Sequence, residues 1–151
     1  VIRRATSADV QSLVQLGAMM HAESPRHSRL AYSPRKVAAM IQHMLVRPMG
    51  AIVLVAESAG GLEGAAVAYI DSEWYSEDAI AQEIVLYVVP ERRGGLTAAR
   101  LIAQMDAWAR SMGARWLQAG STTGIAMDRT IDLYEHLGFS RAAVGVERSY
   151  H

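Results

Sequence analysis

Apolar residues recur along this chain in two rhythms, and the changes of rhythm divide it into elements. "VIRRAT" reads as a short first strand. Thr6 then suits a helix N-cap, with Asp9 completing a capping box. Val10, Leu13, Val14, Gly17 and Met20 fall at helical spacing. "ESPRHSRLAYSP" breaks that spacing. Ser33 and Pro34 start a second helix, because proline at the first helical position forfeits no hydrogen bond. Val37, Met40, Ile41, Met44 and Leu45 form its apolar face. After "RPMG", "AIVLVAE" and "AAVAYID" predict a hairpin, and Gly60 and Gly61 in its turn tolerate positive φ. "AIAQEIVLYVV" is the longest predicted strand and ends at Pro90. The next helix turns Leu101, Ile102, Met105, Trp108 and Met112 inward, with Gly113 as its cap. "RWLQAG" predicts a strand, "AMDRTIDLYEHLG" a helix capped by Gly138, and "FSRAAVGVERSY" one or two closing strands.

The order β, α, α, β, β, β, α, β, α, β puts hairpins first and a βαβ unit later. That predicts an α/β fold (α+β mixed sheet) with six to seven strands and about four helices, in a single domain spanning 1–151. There is no internal repeat, low-complexity tract or linker.

Composition narrows the chemistry. Fifteen basic residues balance fifteen acidic ones, so no nucleic-acid partner is expected. No cysteine is present, which excludes thiolate metal sites and a cysteine nucleophile. His21, Glu23 and His27 lie close together but match no strong metal pattern, so no metal is expected. No apolar run is long enough to span a membrane, and the expected compartment is the cytoplasm.

"VVPERRGGLTAARLIAQM" carries the first functional signal. The opening N–H groups of a helix have no partner within it and, with the helix dipole, attract anions. Gly94 and Gly95 let the backbone approach a ligand, and Arg92 and Arg93 add charge. A phosphate or pyrophosphate is the expected ligand. Neither a Gly-Lys-Ser/Thr loop nor a G-x-G-x-x-G fingerprint is present.

The same stretch resembles the acyl-CoA-binding loop of the GCN5-related N-acetyltransferases, whose pattern is Arg or Gln, two residues, Gly, one residue, then Gly or Ala. Arg93 takes the first place, Thr97 the spacer and Ala98 the last. Leu96 stands where the pattern has its middle glycine, with Gly95 one position earlier. "LYEHLGF", Leu133 to Phe139, is similar to the family's C-terminal Leu-Tyr-x-x-x-Gly-Phe, and Met127 replaces its usual asparagine.

The resemblance implies transfer of an acetyl group from acetyl-CoA to an amine. An alkyl ammonium has a pKa of roughly 10.4, so freeing the amine costs on the order of 4–5 kcal/mol at pH 7, and a general base is useful. Glu83 is the candidate base. Regular alternation puts it on one strand face with Ala81, Val85, Tyr87 and Val89, where apolar neighbours raise its pKa. Tyr134 is the candidate acid toward the departing thiolate. Val88 and Val89 join Arg93, Gly94, Gly95, Leu96, Thr97 and Ala98 as the expected coenzyme-binding residues, with the Val88 N–H polarising the thioester carbonyl.

For the acceptor, a small-molecule amine, two segments compete. Trp74 and Tyr75 sit among Asp71, Glu73, Glu77 and Asp78 and suit a cation. Arg26 to Lys36 is basic and suits a carboxylate or phosphate. These point to opposite charges and select no substrate. A protein or peptide N-acetyltransferase and a non-catalytic acyl-CoA-binding module are the alternatives. The aromatic and methionine content would permit a homodimer.

Overall fold

The computed structural model describes residues 1–150. Its strands are β1 (Ile2–Arg4), β2 (Ala51–Ser58), β3 (Gly61–Asp71), β4 (Ile80–Val88) and β5 (Leu117–Gln118), and its helices are α1 (Val10–Glu23), α2 (Pro34–Leu45), α3 (Thr97–Ser111) and α4 (Met127–His136). The strands form one sheet in sequence order. The first four run antiparallel, and β5 lies parallel to β4. A parallel neighbour needs a crossover, which α3 supplies.

Alternation along the strands gives each sheet face its own core. Leu54, Ala66, Ala68, Ala81 and Val88 face α3, whose Leu101, Ile102, Met105 and Trp108 are buried against them. Val53, Val55, Ala65, Val67 and Tyr87 face the other way, against Val10, Leu13, Val14, Leu16 and Ile41 of α1 and α2. Each fully buried side chain such as Leu101 or Ile102 contributes about 1.5–3 kcal/mol.

Two expectations are corrected. The described sheet has five strands, not six to seven, because residues 140–150 form no strand. Leu117–Gln118 offers a closing strand only a very short edge, and Val144 and Val146 stay exposed. Ion pairs hold that segment instead: Glu147 bonds Arg26 and Arg29 of the α1–α2 loop. The second correction concerns β4. Val67 pairs with Val85, but Ala68 pairs with Glu83, so Ile84 is an extra, bulged residue. Regular alternation fails there. Glu83 joins Ala81 on the α3 face, while Val85, Tyr87 and Val89 face α1 and α2.

At the chain's start, the Thr6 N–H donates to Asp9 Oδ2 at 2.7 Å, and Arg3 grips both Asp9 oxygens at 2.8 and 2.9 Å. The Arg3 bonds hold the Asp9 carboxyl at about 2, against an ordinary 3.8. A depressed folded-state pKa contributes stability above the unfolded value and loses it as pH falls through the folded one. Asp9→Asn should cost about 1–2 kcal/mol and abolish the part of the acid destabilisation that falls between pH 4 and 2. Thermal melts across pH 2–5 measure both effects.

Candidate active site

Parallel pairing between β4 and β5 covers only Ala81↔Leu117 and Gln82↔Gln118. Beyond that the strands part, because the bulge at Ile84 turns the backbone. The hydrogen bonds record the turn. The Ala81 N–H donates to Trp116 on the β5 side, whereas the Val89 N–H donates to Glu63 on the β3 side. Odd-numbered residues therefore change sides across the bulge, and the Val88 N–H faces the gap.

The gap opens into a cavity of about 300 Å³. Glu83 to Val88 form one wall, Arg92 to Gly95 with Ala98 the second, and Gly120 to Thr123 with Arg129 the third. Glu83 lines it, and from behind that wall the buried Tyr134 donates its hydroxyl hydrogen bond to Glu83. Tyr134 is the only buried residue of α4, and Phe139 packs edge-on against its ring with centroids 5.1 Å apart. Burial pushes the Glu83 carboxyl up to about 8, against a smaller opposing pull from the Gly120 backbone. A carboxyl in that range is a proton acceptor matched to neutral or mildly alkaline pH.

The β4–α3 segment carries the second feature. Gly94 has φ +87°, a left-handed conformation that favours glycine. Leu96, the N-cap of α3, has φ −93° and ψ −2°, so any residue suits that position. Its side chain is exposed. Replacement of the pattern's middle glycine by leucine thus leaves the backbone path intact. Among the described residues, the N–H groups of Gly94, Gly95 and Leu96 make no hydrogen bond, and Thr97 and Ala98 open the helix.

Arg93 departs from its expected part as a free charge. Its guanidinium reaches back to Glu23, with Nη2 to Oε1 at 2.8 Å, donates from Nε to the Val88 carbonyl at 2.8 Å, and lies 5.3 Å from the Tyr87 ring centre. The Tyr87 hydroxyl also donates to Glu23, at 2.8 Å. Arg92 pairs with Glu63 at 3.2 Å. Glu23, Tyr87, Arg129 and the segment Gly120–Thr123 were not legible as site residues. Glu23 and Gly120–Thr123 lie outside the motifs, Tyr87 and Arg129 stand beside them, and the partners of all of these exist only once the sheet has formed. Trp74 and Tyr75 are exposed on the β3–β4 loop, pack edge-to-face on each other and line neither this cavity nor its neighbour. No cluster of three metal-ligating side chains occurs among the described residues, and none of their helices is long and apolar enough to cross a membrane.

The sequence profile of the acetyltransferase (GNAT) domain matches residues 49–141. A comparison with curated protein sequences found no match. Solved structures share the fold. An acetyltransferase from Trypanosoma brucei has TM-score 0.73 at 19% identity, over 99% of this chain and 98% of that one. An aminoglycoside antibiotic 6'-N-acetyltransferase from Acinetobacter haemolyticus has TM-score 0.75 at 18% identity, over 100% and 98%. Glucosamine-6-phosphate N-acetyltransferase from Arabidopsis thaliana has TM-score 0.76 at 12% identity, over 100% and 98%.

The raised Glu83 pKa has a consequence for stability. Its folded value of about 8 lies above the ordinary 4.5, so its contribution is complete below pH 4.5 and is lost as pH rises toward 8. Glu83→Gln should therefore gain melting temperature over the wild type progressively across that window, then level off. A carboxyl resonance titrating near 8 in glutamate-labelled protein, absent from the variant, checks the assignment directly.

Proposed function

The chain belongs to the GNAT acetyltransferase family, and from that premise we propose that it transfers an acetyl group from acetyl-CoA to a primary amine on a small-molecule acceptor, by direct attack on the thioester. The observation that carries this reading is the Tyr134–Glu83 hydrogen bond, buried where β4 and β5 part. A base and an acid in mutual contact can pass one proton between the two ends of the reaction.

The residues divide the work. The free N–H groups of Gly94 to Leu96, with Thr97 and Ala98 at the start of α3, hold the diphosphate of the donor. Val88 lines its path along β4, and the Val88 N–H stabilises the oxyanion that forms as the amine attacks, while Val89 turns away with its N–H on Glu63. Arg93 fixes the loop through Glu23 rather than by touching phosphate. Glu83, as carboxylate, takes one proton from the ammonium, and the freed nitrogen forms its bond to the carbonyl carbon. The carbon–sulfur bond breaks with its electron pair going to sulfur, and Tyr134 protonates that sulfur. The surplus proton on nitrogen restores Tyr134, and Glu83 releases its own to solvent. Trp74 and Tyr75 remain a candidate cation-binding element for acceptors approaching from the β3–β4 end.

Two measurements test this. In steady-state assays of CoA release, kcat/KM should rise with pH along a limb near 8, and Glu83→Gln should flatten it; an unchanged profile removes Glu83 as the base. Tyr134→Phe should lower kcat by about 10²-fold or more while the acetyl-CoA Kd from calorimetry stays within about twofold, a span of roughly 0.4 kcal/mol. Wild-type turnover in that variant removes Tyr134 from the mechanism.

A further inference from the structure

A second cavity, of about 380 Å³, lies on the other face of β4, between that strand and helices α1 and α2. It shares Met20, His27, Ile84, Val85 and Tyr87 with the first. The two adjoin at the bulge, and Glu83 lines the first of them. The volume sits at the small end of the roughly 300–1,000 Å³ range of small-molecule sites.

Its wall is hydrocarbon. Leu13, Leu16, Val37, Met40, Ile41 and Val67 supply most of it. Its polar atoms are largely committed within the protein. The Tyr32 hydroxyl donates to the Val14 carbonyl at 2.6 Å, His21 Nε2 is 2.6 Å from the Leu30 carbonyl oxygen, and the Tyr87 hydroxyl donates to Glu23. No carboxylate lines it. Glu23, on the last turn of α1, is held by Arg93 and Tyr87. Across both cavities Glu83 is the single acid, facing Arg92, Arg93, Arg129 and Lys36. A polycation would meet one carboxyl, the positive side chains Arg129 and Lys36, and Arg92 and Arg93 already paired with Glu63 and Glu23. A group with many hydroxyls would lose its hydration there without replacement. An apolar body would lose only its contact with water.

Resting on the acetyl-transfer reading, we propose that the acceptor is a monoamine on an apolar body, an arylalkyl or branched-alkyl amine, with that body in the α1–α2 cavity and its nitrogen delivered past Ile84 to Glu83. Amino sugars and polyamines are excluded by the same wall.

The test is a series of n-alkylamines from ethylamine to hexylamine, with 2-phenylethylamine, spermidine and an aminoglycoside, assayed by CoA release with acetyl-CoA. Each added methylene should raise kcat/KM about fourfold until the cavity is full, the equivalent of about 0.8 kcal/mol per methylene. Met40→Trp should raise KM for hexylamine and phenylethylamine at least tenfold while leaving the acetyl-CoA Kd unchanged. Met40→Ala, which tolerates folding better, should move the optimum to a longer chain. A flat series, or spermidine or the aminoglycoside outperforming every alkylamine, overturns the proposal while the acetyl-transfer reading stands. Hexylamine should also raise the melting temperature of the wild type and not of Met40→Trp. That shift without turnover of any amine keeps the apolar site and sinks the acetyl-transfer reading. No shift and no chain-length dependence sinks the apolar site.

Discussion

The structure depends on one irregularity, the extra residue Ile84 in β4. A regular strand would continue its parallel ladder with β5 and bury the backbone groups that now face a cavity. The bulge ends that ladder after two residue pairs and reverses which faces the side chains address. It also exposes the Val88 N–H to the gap and seats Glu83 among the apolar residues packed by α3 and α4. Three functional elements thus follow from one local change in backbone path. Bulges commonly re-aim side chains next to active sites, and here the re-aimed group is the only acid on either cavity wall.

A second interaction fixes the loop to the opposite layer. Glu23 ends α1, and its carboxylate binds Arg93 and Tyr87 together. The Arg93 hydrogen bonds hold that carboxyl below its ordinary range, and burial with the Glu23 contact pushes the Tyr87 phenol up to about 12. Both shifts favour the paired state at neutral pH. The cluster connects the helix that walls the second cavity to the loop that walls the first. The bend of the chain at Gly94 is then held from both sides: φ +87° is accessible to glycine without a steric penalty, and Arg93 anchors the residue before it to Val88.

Much of this was legible in the sequence, for identifiable reasons. Helix starts were readable because capping is local: Ser33 does accept from the Lys36 N–H, and Asp9 does close the first turn. The hairpin, the long β4 and the α3 core face followed from periodicity alone. The bulge was not readable. One inserted residue leaves no mark in "AQEIVLYV", since either parity places apolar residues on both faces of a strand buried on both sides. Regular alternation predicts Glu83 on a face with Val85, Tyr87 and Val89, whereas the bulge sets it opposite Ala68, and burial there raises its pKa. The closing strands expected over "FSRAAVGVERSY" do not form, because the β5 edge is too short to pair with and Glu147 ties the segment down. In the Glu23–Arg93–Tyr87 cluster the carboxylate lies 64 and 70 residues from its partners, and no local signal announces a contact at that separation.

The two faces of β4 differ in what can change. Toward the first cavity, the strand and the loop after it offer unpaired backbone groups, the Val88 N–H and the amides of Gly94 to Leu96, which are the donor's proposed contacts. Those are insensitive to most substitutions, as Leu96 illustrates by occupying a glycine's place with φ −93°. Toward the second cavity, the wall is mainly apolar side chains, among them Leu13, Leu16, Val37, Met40 and Ile41 of two helices. A single change there alters volume or charge without touching the donor's contacts, provided the sheet beneath still packs. On the proposed reaction, acceptor choice is therefore free to vary while donor chemistry stays fixed, and a common fold carries no information about the acceptor. If the proposed amine enters there, its identity has to be read from the α1–α2 wall, and in this chain no carboxylate lines that wall.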